Sequence, residues 1–265
     1  MSKPVYILIR TSRRRAMFNR AMASIKAQTY PNIKTIVHTD DPRDGYVTGD
    51  IIIKGHKYPR SIGAAPYNLY CNRLLEAVPD VDGWFCFLDD DDEYTAPDVI
   101  ERLVSESKPD CVNVGKVLRW SASIYPEHWG KRISKRGFQT ECFFLHTKHR
   151  ELGKWWANRG GDHYYTRFLT QLLEVNWIEN LLIAKSQNGK NSGKTFDKMS
   201  NKISNFVSVL ALCPINKGRP DYIRQEEIGI LDFSQALELE KSGKVEITYP
   251  GILKNNLPVR RVFKI

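Results

Sequence analysis

Apolar runs alternate with amphipathic stretches along the first 120 residues, and this pattern predicts strands that alternate with helices. The apolar runs that indicate strands lie at residues 5–9, 33–38, 51–53, 84–88 and 111–118. Between them, three sets of apolar residues at helical spacing predict helices: Phe18, Ala21, Met22 and Ile25; Tyr67, Tyr70, Cys71, Leu74 and Val78; and Ile100, Leu103 and Val104. Thr95 and Asp98 bracket Pro97 and predict the N-cap of the third helix. We therefore expect an α/β fold, in which a mostly parallel sheet carries helices on both faces.

The pattern after residue 120 is less regular but still predicts separate elements. Residues 141–145 favour a strand, and a helix is expected from Asp162, with an apolar face of Tyr165, Phe168, Leu169 and Leu172. Residues 186–202 are rich in Gly, Asn and Ser, which is typical of a mobile loop. Further on we expect an apolar helix or strand at 203–213, a short helix at 234–243 and a strand at 245–249. We predict a large domain at 1–205 and a C-terminal appendage at 206–265.

Composition and hydropathy restrict the class of protein. The chain is 42% hydrophobic and 26% charged, which is ordinary for a soluble globular protein. No run of about 18 apolar residues is present, so we expect no transmembrane segment. The apolar run in MSKPVYILIR is too short for a signal peptide, which predicts a cytoplasmic location. Five widely spaced cysteines without a CxxC pair predict buried, reduced thiols: Cys71, Cys86, Cys111, Cys142 and Cys213.

The charges are unevenly distributed along this basic chain, whose net charge is +10. Residues 1–60 carry 12 Lys or Arg against 4 Asp or Glu, and residues 116–160 carry 10 against 3. Residues 75–110 reverse the sign, with 12 acidic against 2 basic residues. An acidic centre within a basic protein predicts a divalent cation site in a field that attracts anions, such as a nucleotide diphosphate, a nucleic acid or an acidic lipid surface.

Four aspartates, Asp89 to Asp92, directly follow the buried strand WFCFL. In an open parallel sheet, ligands bind beyond the carboxyl ends of the strands. Four neighbouring carboxylates repel one another, and hard oxygen ligands suit Mg²⁺ or Mn²⁺, which can also bind diphosphate oxygens. We therefore predict a metal site at this strand end.

The order of these motifs resembles that of the family 2 glycosyltransferases, which have the GT-A fold, over about residues 4–195. The matching phrases are Ile9 to Arg13 after the first strand, SIKAQTYPN at Ser24 to Asn32, IVHTDD ending at Asp40 and Asp41, NRLLEA at 72–77 and LDDDD at 88–92. A later phrase, ELGKWW at 151–156, precedes Gly160-Gly161-Asp162-His163 and a helix with Arg167. The chain departs from the family pattern at Cys71, where the family commonly has an arginine before the helix asparagine.

The resemblance implies a role for each matching residue. Thr11 and Arg13 would line the nucleotide pocket, Asp40 or Asp41 would accept a hydrogen bond from the base, usually uracil, and Asp89 and Asp90 would face the ribose and the metal. Asp91 would be the main ligand of Mn²⁺ or Mg²⁺, with Asp89 beside it. Asp162 would be the catalytic base, with His163 as the alternative. Lys190 and Lys194, in the 186–202 loop, would close over the donor phosphates.

These roles together imply an inverting transfer from a nucleotide sugar, in particular a UDP-sugar, to an acceptor hydroxyl. For the acceptor we favour DNA with hydroxymethylated bases, as in phage-encoded enzymes that act in the host cytoplasm. The candidate DNA-binding residues are Arg13, Arg14, Arg15, the basic segment 131–136, Trp120, Tyr125 and Trp129. A surface glycan or a lipid-linked sugar is the alternative acceptor.

Two other classes of protein remain open at this point. A nucleotidyltransferase uses a similar sheet and metal site, but it usually carries a Gly-rich loop after the first strand, and residues 10–15 contain no glycine. A non-catalytic nucleic-acid-binding protein would have no use for LDDDD without a metal.

Overall fold

The structure, a computed structural model, describes residues 2–119, 123–130 and 138–186, together with Ser242 and four strands between 206 and 262. Cys213, Lys190, Lys194, Trp120, the basic segment 131–136 and all of the predicted helix at 234–243 except Ser242 lie outside the described residues. The strands, in chain order, are β1 Val5–Thr11, β2 Ile33–Thr39, β3 Ile51–Lys54, β4 Trp84–Phe87, β5 Glu93–Tyr94, β6 Cys111–Arg119, β7 Ile124–Tyr125, β8 Phe143–His146, β9 Glu174–Ser186, β10 Phe206–Ala211, β11 Ile228–Asp232, β12 Val245–Thr248 and β13 Val259–Val262. The α-helices are α1 Arg15–Lys26, α2 Leu69–Glu76, α3 Val99–Glu106 and α4 Gly161–Leu172.

The main sheet has the strand order β3-β2-β1-β4-β8-β6-β9-β5, with β7 paired to β6. The ladders β3-β2, β2-β1, β1-β4 and β6-β9 are parallel and contain most of the paired residues, whereas β8, β5 and β7 join antiparallel to their neighbours. This confirms the predicted α/β class with a mostly parallel sheet. The described strands after residue 205 form a second sheet in the order β12-β10-β11-β13. The predicted division at residue 205 stays a prediction.

The predicted apolar faces supply much of the core. Strand β1 is buried from Val5 to Ile9, and all four predicted residues on α1 are buried. Strand β4 is fully buried as well, so the aspartates that follow it start from the centre of the sheet. Four of the five cysteines are described, and each is a buried free thiol, as predicted. None of the described helices has the length and apolar character needed to cross a bilayer.

Gln28, in the QTYPN phrase, connects the end of α1 to the start of α3. The Gln28 side chain donates to the carbonyl of Ala96 at 2.8 Å and accepts from the backbone N–H of Ile100 at 3.1 Å. The predicted start of α3 is confirmed, since Asp98 is its N-cap residue, but neither predicted side chain caps the helix. Thr95 instead donates its hydroxyl to the carbonyl of Leu182 on β9, and Asp98 makes no side-chain cap bond. A distant glutamine thus satisfies a free helix N–H that a local cap would otherwise bind.

Two predicted helix faces need correction. The second helix begins only at Leu69, after a 3-10 turn over Pro66–Asn68, and Tyr67 is 52% exposed instead of buried. On α4, Tyr165 and Leu169 are buried, but Phe168 and Leu172 are 46% and 55% exposed. The apolar face of α4 is therefore narrower than predicted, because its outer side faces solvent in the described structure.

Candidate functional site

The candidate site lies where β1, β2 and β4 end, beside the start of α2. These three strands are parallel neighbours, so their carboxyl ends meet at one edge of the sheet. A cavity of about 550 Å³ opens there. Its lining includes Arg10, Thr11, Ser12, Arg14, Asp40, Tyr67, Tyr70, the four aspartates 89–92, Gln139 and Ser186. Its volume is within the range of small-molecule sites.

Two arginines, Arg10 on β1 and Arg14 at the N-cap of α1, bind the acidic run. Arg10 forms a two-point ion pair with Asp89, from Nε to Oδ1 at 3.0 Å and from Nη2 to Oδ2 at 3.2 Å. Arg14 donates to Asp90 and, at 3.2 Å, to Oδ2 of Asp91. The hydroxyl of Thr11 donates to the second oxygen of Asp90 at 2.7 Å. The structure thus brings the predicted residues Thr11, Asp89, Asp90 and Asp91 together.

Three of the four aspartates in this run are buried. Asp90, Asp91 and Asp92 are 1%, 8% and 3% exposed. Burial raises the pKa of Asp90 to about 7, against the opposing charge of Arg14, and burial also raises the pKa of Asp91. The fold therefore holds the carboxyl groups where an ionised form is disfavoured unless another cation binds nearby.

Glu141 adds a further buried carboxyl that the sequence analysis missed. It is 3% exposed, and it shares a side-chain hydrogen bond with Asp92. Burial raises the pKa of both groups, so the pair holds a proton near neutral pH. Its position in the apolar segment ECFFL gave no signal of this contact, because the partner lies about fifty residues earlier in the chain.

The acidic run could hold a divalent cation only in an open site that ligands from outside the protein complete. Among the described residues, no group of three or more His, Cys, Asp and Glu side chains could hold a metal ion. Mg²⁺ and related ions are commonly held by one or two carboxylates and completed by substrate phosphates and water. Asp91 and Asp89 fit such an open site, since both line the cavity and buried acids with raised pKa values surround them.

Asp40 and Asp41, the two candidates for base recognition, have different surroundings. Asp41 is buried and accepts from Arg13 at 2.5 Å and from Arg43 at 2.9 Å, and these hydrogen bonds, that of Arg43 first, hold its pKa well below the usual range. Asp40 lines the cavity, accepts from the Tyr70 hydroxyl at 3.0 Å through Oδ2, and has a buried Oδ1 without a hydrogen-bond partner. The geometry therefore favours Asp40 for a ligand contact. Arg13 pairs with Asp41, and neither is among the described residues that line the cavity.

Asp162 lies in the first turn of α4, after the left-handed Gly160 (φ 78°). Burial raises its pKa, whereas the charge of Arg10 lowers it and that of Asp89 raises it. Asp162 is thus within electrostatic range of Arg10 and Asp89, but it is not among the described residues that line the cavity. The alternative base, His163, is buried.

Three observations bear on the residues that were predicted to bind DNA. Arg14 faces the acidic run, and Tyr125 is buried. Trp129 packs against Trp177, with their ring centroids 4.9 Å apart. The described members of the set therefore do not form one exposed surface, although Arg13 and Arg15 are exposed.

Comparison with solved structures finds chains of similar fold at low sequence identity. S. aureus TarS superposes with a TM-score of 0.50 at 10% identity, covering 76% of this chain and 40% of TarS. The TarS 1–349 fragment with UDP gives 0.48 at 11% identity over 76% of this chain and 66% of the fragment. Mannosyltransferase PcManGT from Pyrobaculum calidifontis, with GDP-Man and Mn²⁺, gives 0.48 at 13% identity over 72% and 59%.

This chain spans less than two thirds of the length of these structures. No protein-family model matches the sequence, and no curated protein is significantly similar to it. The likeness to TarS, at a TM-score of 0.50 and 10% identity, shows the fold alone.

Proposed function

We propose that the protein is a glycosyltransferase that uses a nucleotide-sugar donor. The observation that carries the proposal is the convergence of the acidic run, two arginines and Asp40 in one cavity at the carboxyl ends of parallel strands. Such a cavity offers acceptors for a base and a ribose, and a place for a metal that binds a diphosphate.

The donor would lie across the strand ends. The unpartnered Oδ1 of Asp40 would accept from the base, which suits the N–H of uracil. Asp89 and Asp91 would hold Mn²⁺ or Mg²⁺, and the metal would offset the negative charge of the diphosphate leaving group. Thr11 orients Asp90 through its hydroxyl. Lys190, which we predict to close over the phosphates, lies outside the described residues.

Asp162 would be the general base of a single, inverting displacement. Its carboxylate would take the proton from the acceptor hydroxyl as that oxygen attacks the anomeric carbon and the bond to the diphosphate breaks. The raised pKa of Asp162 brings it closer to the operating pH, which favours proton transfer to this carboxylate.

The acceptor is the less constrained part of the proposal. The basic chain, with exposed Arg13 and Arg15, still favours a polyanionic acceptor such as DNA with hydroxymethylated bases. Transfer to hydroxymethylated DNA, measured beside transfer to a glycan mixture, separates these two acceptors. A nucleotidyltransferase would instead release pyrophosphate from a nucleoside triphosphate and a sugar phosphate.

The first test is calorimetric binding of UDP, UDP-GlcNAc and GDP-mannose, with and without Mn²⁺. We expect binding of one nucleotide that requires Mn²⁺ and that weakens at least 10-fold in Asp91→Ala. Asp98→Ala, which changes an acid at the start of α3, is the matched control and should bind as the wild type does. Absence of nucleotide binding in the wild type contradicts the proposal.

A further inference from the structure

The side-chain amide of Asn68 connects two parts of the candidate site. Its Oδ1 accepts from Nη1 of Arg10 at 3.0 Å, and its Nδ2 donates to the backbone carbonyls of Asn158 at 2.8 Å and Trp156 at 3.4 Å. The orientation of the amide follows from chemistry, because a guanidinium has only donors and a carbonyl only accepts. Asn68 is 5% exposed, so water does not compete freely for these bonds.

The loop that Asn68 holds leads directly into the turn with Asp162. Gly161, the first residue of α4, leaves no room between this helix and the amide: a Cβ at that position would lie 2.4 Å from Nδ2 of Asn68. The position of the Asp162 turn is therefore set against Asn68 by direct contact as well as by the hydrogen bonds to the loop.

Through Arg10, Asn68 is also connected to Asp89 in the cavity. The same guanidinium makes the two-point ion pair with Asp89, approaches Cys71 Sγ at 3.6 Å and lies 5.3 Å from the centroid of the Tyr67 ring. The guanidinium of Arg10, which comes from β1, thus lies beside Cys71 of α2. A continuous series of polar contacts runs from Asp89 through Arg10 and Asn68 to the loop before Asp162.

Two other contacts also fix this loop, but they do not reach Arg10. Asn72 exchanges hydrogen bonds with the backbone of Trp155 at 3.0 and 2.8 Å, and the N–H of Ala65 donates to the carbonyl of Ala157 at 2.8 Å. Asn72 therefore provides an internal comparison. It is the same residue type in the first turn of α2, four residues after the N-cap Asn68, and it holds the adjacent residue of the same loop.

We propose that Asn68 is a positioning residue that couples the Arg10–Asp89 pair of the donor cavity to the loop that carries Asp162. This assignment rests on the proposed function. A donor bound at Asp89 and Arg10 would then fix the distance between the general base, Asp162, and the anomeric carbon of the donor. An error of about 1 Å in such a distance can lower a rate by about 100-fold.

The test compares Asn68→Asp with Asn72→Asp. The first change keeps an acceptor for Arg10 but replaces the Nδ2 donor with an oxygen that faces two carbonyls. The second removes the equivalent donor to Trp155 and leaves Arg10 untouched. UDP binding is measured by calorimetry and UDP release from UDP-GlcNAc by a coupled assay, with rates expressed per UDP-binding site so that unfolded protein does not count.

We expect Asn68→Asp to lower kcat about 10- to 100-fold with KM within about 3-fold of the wild type, and Asn72→Asp to change kcat by less than about 3-fold. Hydrogen exchange of residues 155–162 gives a second readout. UDP should slow this exchange in the wild type and in Asn72→Asp but not in Asn68→Asp. Asn68→Ala, which adds no charge, should behave like Asn68→Asp and covers the case in which the aspartate variant does not fold.

Equal kcat in the two aspartate variants, or UDP-dependent protection of the loop in Asn68→Asp and Asn68→Ala, would overturn the assignment while leaving the proposed function intact. A wild-type protein that neither binds UDP nor releases it from UDP-GlcNAc overturns the assignment of this donor, and the coupling with it, before any variant is compared.

Discussion

Arg10 and Asp89 form a two-point ion pair that joins the ends of two adjacent parallel strands, β1 and β4. The pair fixes the direction in which the acidic run leaves the sheet. Two cations, Arg10 and Arg14, face four aspartates and Glu141, so the site retains an excess of carboxyl groups. Burial raises the pKa values of Asp90, Asp91, Asp92 and Glu141, and a bound divalent cation would favour their ionised forms.

Replacing Asp162 by Asn should abolish transfer while leaving donor binding nearly intact, because the amide cannot take a proton. We expect kcat to fall by about 100- to 10,000-fold, with Kd for the nucleotide within about 3-fold of the wild type. Initial-rate and calorimetric measurements on the same preparation check this. His163→Gln is the matched control, and a full loss in that variant with normal activity in Asp162→Asn would instead make His163 the base.

Asp40 and Asp41 should give opposite phenotypes when each is replaced by Asn. Asp40→Asn presents a changed group to the ligand and should weaken nucleotide binding about 10-fold at unchanged Tm. Asp41→Asn loses the charge that Arg13 and Arg43 hold, and it should lower Tm with little change in binding per folded molecule. Calorimetry together with thermal unfolding separates the two, and weaker binding in Asp41→Asn alone would reverse the assignment.

Stability of the metal-free protein should fall as pH rises from about 4 to 7. The pKa of Asp90 is raised from 3.8 to about 7, so over this interval the folded state holds a proton that the unfolded state has released. This contribution to the free energy of unfolding is fully present below the pKa of Asp90 in the unfolded chain and is lost above its pKa in the folded protein. Its size is on the order of a few kcal/mol. Thermal unfolding at pH 5 and pH 8 measures it.

Two changes should reduce this pH dependence. Asp90→Asn removes the titrating group, and Mn²⁺ should raise Tm more at pH 8 than at pH 5, because ionised carboxylates bind it. A pH dependence that is equal in Asp90→Asn and the wild type would show that Asp90 does not hold the proton.

Gly161→Ala should destabilise the protein by about 1–3 kcal/mol, because its Cβ would meet Nδ2 of Asn68 at 2.4 Å. Gly45→Ala is the control, since a Cβ there meets nothing within 4 Å and should be close to neutral. Urea unfolding of both variants is the measurement. Equal stability of the two would show that α4 moves freely away from Asn68.

Much of the fold could be predicted from the sequence because its signals are local. The apolar runs of β1, β2 and β4 and the helical spacing on α1 each arise within about ten residues, and the acidic run follows one of these strands directly. The long strand β9, Glu174–Ser186, could not be found in this way, since its polar and apolar residues do not alternate regularly.

The parts of the site that escaped prediction depend on contacts between distant residues. Asn68 and Glu141 are polar residues in otherwise apolar surroundings, and nothing near them in the chain indicates their partners. Arg10 stood within a recognised phrase, but its role depends on Asp89, 79 residues later. Thr95 had the sequence of a cap, yet the carbonyl of Leu182 competes for its hydroxyl. Local chemistry suggests such roles, and only the tertiary structure assigns them.

The close contact between Gly161 and Asn68 also has an evolutionary consequence. A side chain at 161 avoids this clash only if residue 68 is smaller, and a smaller residue at 68 gives up the bonds to Arg10 and the loop. The two positions should therefore change together or not at all in descendants of this protein. A divergent sequence that keeps the strand-end aspartates but loses this glycine should have lost the asparagine too, and should hold its α4 turn by different means.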